Sequence, residues 1–148
     1  MRVLQNPQMQ VGEVDISEIK FDPKSRDDIP KVLKGLQYLY CDLSLRSQVF
    51  ELLEREISPK VSKDNGRPGM ALWRILVCGV LRLDLNIDYD RLHEMVNQHG
   101  TIRQMLGHGA FDLEPTCGRV SARVICQAHD RARVLWPGRF ESRRLFSC

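Results

Sequence analysis

From Ile29 to Leu106 the apolar residues return at intervals of three and four, the period that gathers them on one face of an α-helix. Ile29, Val32, Leu33, Leu36, Leu39 and Tyr40 form a first amphipathic segment that should end near Cys41. Asp27 and Asp28 stand ahead of it as caps for free amides, and Pro30 suits its first turn. Leu45, Val49, Leu52, Leu53 and Ile57 repeat the spacing, with Asp42 or Ser44 as cap and Pro59 as stop. The run from Ser62 to Gly69 is dense in turn formers and predicts a loop.

Met70 to Leu85 reads as a helix that is apolar around most of its circumference, and such a helix belongs at the centre of a fold. Its exceptions, Arg74, Cys78 and Arg82, recur every four residues and form one narrow stripe. That stripe is expected to reach solvent, an acidic partner such as Glu51, Glu54 or Glu56, or phosphate. Asn86, Ile87 and Asp88 make a turn and cap for a short helix carrying Tyr89, Leu92, Met95 and Val96 and ending at Gly100. Thr101 then caps a last helix with Ile102, Met105 and Leu106 on its apolar side, closed by Gly107 and Gly109. The expected fold is all-α: a compact multi-helix bundle whose C-terminal pair resembles a helix-turn-helix.

Outside this region the pattern weakens. Residues 1–27 hold Pro7, Gly12 and Pro23 around a short alternation of Val14, Ile16, Ile19 and Phe21, which fits an arm that pairs as a strand or lies extended over a core. Residues 28–112 are the expected helical domain. Beyond Asp112 the periodicity decays to one weak helical signal around Ser121 to Ala132, framed by Pro115, Gly118, Pro137 and Gly138, so residues 113–148 are expected to be a poorly ordered tail.

A chain of 148 residues, 43% hydrophobic and 28% charged, suits one domain. Its longest apolar stretch is interrupted by Arg74, Arg82 and Asp84, which argues against a membrane span. The first residues lack the apolar run of a secretory signal, so the cytoplasm is the expected compartment. Five cysteines, at 41, 78, 117, 126 and 148, form no CxxC pair and fit reduced thiols better than a disulfide framework or a zinc knuckle. The net charge of +3 conceals a division. Residues 1–112 hold all six lysines and nine arginines against sixteen acids, whereas the last 36 hold seven arginines, no lysine and three acids. The composition changes abruptly near Leu113.

Candidate chemistry is sparse. His93, Glu94 and His99 come close to the zinc-protease pattern HExxH, but a six-residue interval turns the two imidazoles roughly 120° apart on a helix, so no metal site is expected. Asp84, Asp88 and Asp90 could suggest magnesium ligands, yet their positions at helix ends assign them to capping and to the helix dipole. The phosphate-loop, dinucleotide and nucleophile-elbow motifs are all missing from the sequence. Cys41 and Cys78 lie in or beside apolar helical stretches, where burial favours an inert thiol. Neither a cofactor nor catalysis by this chain alone is expected. The C-terminal helix pair offers DNA contact through Arg103, Gln104 and His108, with Thr101 reaching a phosphate.

Several separated blocks carry a family likeness. They are Ser25 to Pro30, Gly66 to Leu76, Gly79 to Leu83, Tyr89 to Glu94 and His99 to His108. Over roughly residues 1–112 the chain resembles the N-terminal region of insertion-sequence transposases of the ISNCY group, whose front domain is similar to that of other bacterial DDE transposases. The resemblance implies a helical domain that recognises the element's DNA ends and assembles the transposase, ahead of an RNase H-like domain bearing three metal-binding carboxylates. The likeness stops near Leu113, where 36 residues are too few for that second domain, and no acidic triad can be carried over. A shift of reading frame is the simplest account of the change in composition; a genuine nucleic-acid-binding tail is its rival, and the gene's other frames beyond codon 112 decide between them.

The expected function is therefore that of a truncated transposase fragment: a DNA-binding and assembly domain that partners the insertion-sequence ends and is not itself an enzyme. Lys63, Arg74, Arg82, Arg91, Arg103 and Gln104 are the expected DNA contacts. The competing expectation is an interaction module that joins full-length transposase, or a second copy, in inactive mixed oligomers. A decayed product without a selected role would show the same helical spacing.

Overall fold

A computed structural model describes residues 11–57, 70–110 and 112. Five α-helices are present in that span: α1 (Ile29–Cys41), α2 (Leu43–Ile57), α3 (Leu72–Leu85), α4 (Tyr89–Gln98) and α5 (Gly100–Met105), preceded by a 3₁₀ turn at Ile16–Glu18. The architecture is all-α, as the spacing predicts, and no strand occurs among the described residues. Residues 1–10 of the expected arm, the loop bearing Lys63 and the tail 113–148 lie outside the described residues.

The described part of the arm lies over the core, one of the two arrangements its alternation allows. Ile16 and Ile19 are buried with the helical residues. Gln37 on α1 pins the segment there, its side-chain amide donating to the carbonyls of Ile16 (2.8 Å), Ser17 (3.1 Å) and Ile19 (3.0 Å). These carbonyls have no ladder to join, so the amide supplies donors that a sheet would otherwise provide.

Asp28 does not cap α1 with its side chain, contrary to the pattern at Asp27 and Asp28. Its backbone is already helical, and its carboxylate pairs with Lys31 at 3.0 Å. Asp42 serves two helices. Its N–H closes α1 on the Tyr38 carbonyl at 3.1 Å, and its carboxylate opens α2 by accepting from the N–H groups of Ser44 (2.9 Å) and Leu45 (3.1 Å). Helix α2 ends two residues before Pro59.

Helix α3 occupies the centre. Leu72, Trp73, Ile75, Val77, Cys78 and Leu81 are all buried, and the Trp73 ring meets Tyr40 of α1 edge-on at 5.0 Å and Phe50 of α2 at 6.4 Å. Asn86 ends α3 in the left-handed region at φ 49°, a conformation asparagine tolerates better than most residues. Asp88 then caps α4, accepting from Arg91 N–H at 2.7 Å.

The joint between α4 and α5 differs from expectation. One residue, His99, makes it: its extended backbone lets its N–H close α4 on Met95 while its carbonyl accepts from Arg103 N–H and starts α5. Gly100 and Thr101 therefore lie inside α5 instead of ending and capping helices. Beyond α5, Gly107 turns the chain at φ 78°, and Ala110 N–H reaches the Gly12 carbonyl at 3.1 Å. Gly109 passes so close to the arm that a Cβ there would meet the Val11 carbonyl oxygen at 2.9 Å.

Candidate nucleic-acid interface

A helix leaves its last carbonyls without intrahelical donors. At α5 the accounting closes in two ways. Gly107 N–H returns to the Gln104 carbonyl and His108 N–H to the Arg103 carbonyl, both at 3.0 Å, the bond pair of a Schellman ending. The carbonyls of Met105 and Leu106 are satisfied from another element: Trp73 Nε1 donates to Met105 at 2.7 Å and Arg74 Nε to Leu106 at 3.0 Å. Two adjacent residues of α3 thus clamp the end of α5, and the Arg74 cation also complements the negative end of that helix.

This clamp explains the stripe of Arg74, Cys78 and Arg82 and corrects its expected direction. The stripe faces neighbouring elements instead of open solvent. Cys78, at its middle, is wholly buried. Arg74 is half-buried at α5, and Arg82 is half-buried with its guanidinium 4.1 Å from the centre of the Tyr89 ring, a cation–π contact with the start of α4. The Nε of Arg82 is buried and makes no hydrogen bond. Neither arginine forms the expected pair with Glu51 or Glu54, because packing on α4 and α5 takes their side chains there.

The other expected contacts are distributed differently. Arg103 is half-buried, and its guanidinium donates to the carbonyls of Asn97 (3.4 Å) and Asp112 (2.5 Å), tying α4 to the chain after α5. Gln104 is half-buried, whereas Arg91 is exposed on α4. The structure brings Arg74 and Arg103 together around His108 and leaves Arg82 and Arg91 apart from them.

His108, which the helix-pair reading adds to Arg103 and Gln104 as a further contact, does not face outward. It is buried, with Nδ1 2.5 Å from an Asp112 carboxylate oxygen and Nε2 buried without a hydrogen bond. Burial pushes its pKa below the usual histidine range; the Asp112 hydrogen bond opposes that shift, and the charges of Arg74 and Arg103 reinforce it. The imidazole is accordingly neutral at neutral pH, with the proton on Nδ1 directed at Asp112. A histidine between two glycines carries no periodic signal of burial, and its environment arises only when the chain folds back after Gly107.

Among the described residues no three His, Cys, Asp or Glu side chains gather into a possible metal site. His93 and His99 have separate surroundings, His93 beside Asn97 and His99 at the joint. No described helix is long and apolar enough to cross a membrane. No known protein family, curated protein or solved structure matches the chain.

Proposed function

We propose that the helical region is the DNA-binding and assembly domain of an insertion-sequence transposase of the ISNCY group, and that the chain itself is not an enzyme. The observation that carries this reading is the meeting of two resemblance-bearing blocks. Trp73 and Arg74, in the block Gly66 to Leu76, bond to Met105 and Leu106 in the block His99 to His108, 32 residues away. The family likeness thus falls on residues that hold the domain together, as a likeness of fold requires. A gel-shift series on duplexes carrying the terminal sequences of such an element, beside scrambled duplexes, tests it: retardation that favours the terminal sequences is expected, and none with either duplex removes the reading.

The competing interaction-module reading draws on a separate feature. Leu43, Leu45 and Leu52 of α2 are exposed, and large apolar side chains on one helix can serve assembly with full-length transposase or a second copy. Co-elution with intact transposase in size-exclusion chromatography, lost when Leu45 and Leu52 are replaced by Ser, is its expected signature.

A further inference from the structure

The arginines that the sequence nominates for DNA are largely occupied inside the fold, which raises the question of which surface remains for phosphate. Charge on the exposed faces separates the helices. The exposed residues of α2 include Glu51 and Glu54 with Arg55; those of α4 include Asp90 and Glu94 with Arg91; that of α3 is Asp84. Helix α1 contains no acidic residue, and its exposed positions are Lys31, Lys34, Gly35, Tyr38 and Cys41. Helix α5 also lacks an acid, but its one basic residue, Arg103, is half-buried and bonded to the Asn97 and Asp112 carbonyls, so among the described helices α1 alone has exposed basic residues and no exposed acid.

We infer that the outer face of α1 is the surface that holds double-stranded DNA, with Lys31 and Lys34 on backbone phosphates and the Tyr38 hydroxyl donating to a phosphate beside them. This rests on the proposed DNA-binding reading and places its contact surface. The three residues follow at intervals of three and four, so they line one side of the helix. Lys31 to Tyr38 spans about 10 Å along the axis, the rise of about three nucleotides of one strand. Tyr38 is 71% exposed, far more than an aromatic ring needs for packing, and its phenol suits a phosphate oxygen. Lys31 pairs with Asp28, but both side chains are exposed, and an ion pair of this kind is weak enough to exchange for phosphate. Nothing lies within 4 Å of a Cβ built on Gly35, so the middle of the face is open to a partner.

The test uses the full chain and a labelled random-sequence duplex, with anisotropy read across a salt series and circular dichroism confirming each variant's fold. Lys31→Gln and Lys34→Gln should each flatten the slope of log K against log salt by about 0.9. Gly35→Glu, which sets a carboxylate in open space, should weaken binding about threefold, the loss that one phosphate contact shows across a roughly fourfold change in salt at a slope of about 0.9. Arg55→Gln on the exposed side of α2 should leave both quantities unchanged. Wild-type chain that binds, with affinity and slope preserved in the Lys31→Gln, Lys34→Gln double variant, overturns the α1 assignment and leaves the DNA-binding reading standing. Wild-type chain that binds no duplex removes both. Self-association of the wild type without DNA, abolished by the same lysine changes, identifies the face as a contact between copies and likewise overturns the assignment.

Discussion

Replacing Trp73 with Phe tests the clamp at the end of α5. The ring remains to pack near Tyr40 and Phe50, but the Nε1 donor is lost and the Met105 carbonyl is left buried without it. An orphaned buried acceptor costs about 1–3 kcal/mol. The smaller ring leaves a void on the order of 40 Å³ that adds about 1 kcal/mol at about 24 cal/mol per Å³. The expected loss is about 2–4 kcal/mol, and in urea unfolding, where slopes run about 1–3 kcal/mol per M, the midpoint should fall by about 1–2 M. Arg74→Met keeps the aliphatic stem but removes the bond to Leu106; water can replace it at this half-buried site, so about 0.5–1.5 kcal/mol is expected. Because both residues hold one helix end, the double variant should show a coupling above about 0.5 kcal/mol. A Trp73→Phe loss under about 0.5 kcal/mol would show that the Met105 carbonyl does not depend on the indole, and the clamp would fail as an explanation.

Three further outcomes follow from single positions. Gly35→Ala should stabilise by about 0.5–1 kcal/mol, since a Cβ there meets nothing and helical glycine carries an entropic cost; calorimetry should show a rise in melting temperature. Asp88→Ala removes the acceptor for Arg91 N–H and should lower stability by about 1 kcal/mol in the same assay, with Asp88→Asn recovering most of it. His108 has a folded pKa below its unfolded value, so the unfolded chain takes up the proton first as pH falls. Stability from this group is complete above about pH 6.5 and is lost as pH falls through the folded pKa below it. Melting curves at stepped pH should show the decline in wild type and a weaker one in His108→Gln, whereas stability that increases on acidification through that range would contradict the buried neutral imidazole.

Local order along the chain was legible because its causes are local. Apolar spacing placed all five helices; Asp42 and Asp88 marked starts that the structure uses, and Gly107 marked the final turn. The same logic overreached at Asp28, whose helical backbone prevents a capping geometry, and at Gly100 and Thr101, where His99 alone makes the joint. The candidate site was less legible than the fold. Arg74 and Arg82 were visible as a stripe, and Trp73 as a core residue, but their actual partners are carbonyls at the end of α5 and a ring at the start of α4.

Spacing alone determined that Arg74, Cys78 and Arg82 share one side of a helix, because that follows from its pitch. Only tertiary packing decided where that side points, since the direction depends on which helix end arrives with carbonyls lacking donors. His108 shows the same division: an imidazole between glycines carries no pattern, and burial, the Asp112 bond and two nearby arginines exist only after the chain has folded back. Helical period is a property of neighbours in sequence, whereas the partners of polar groups are set by neighbours in space.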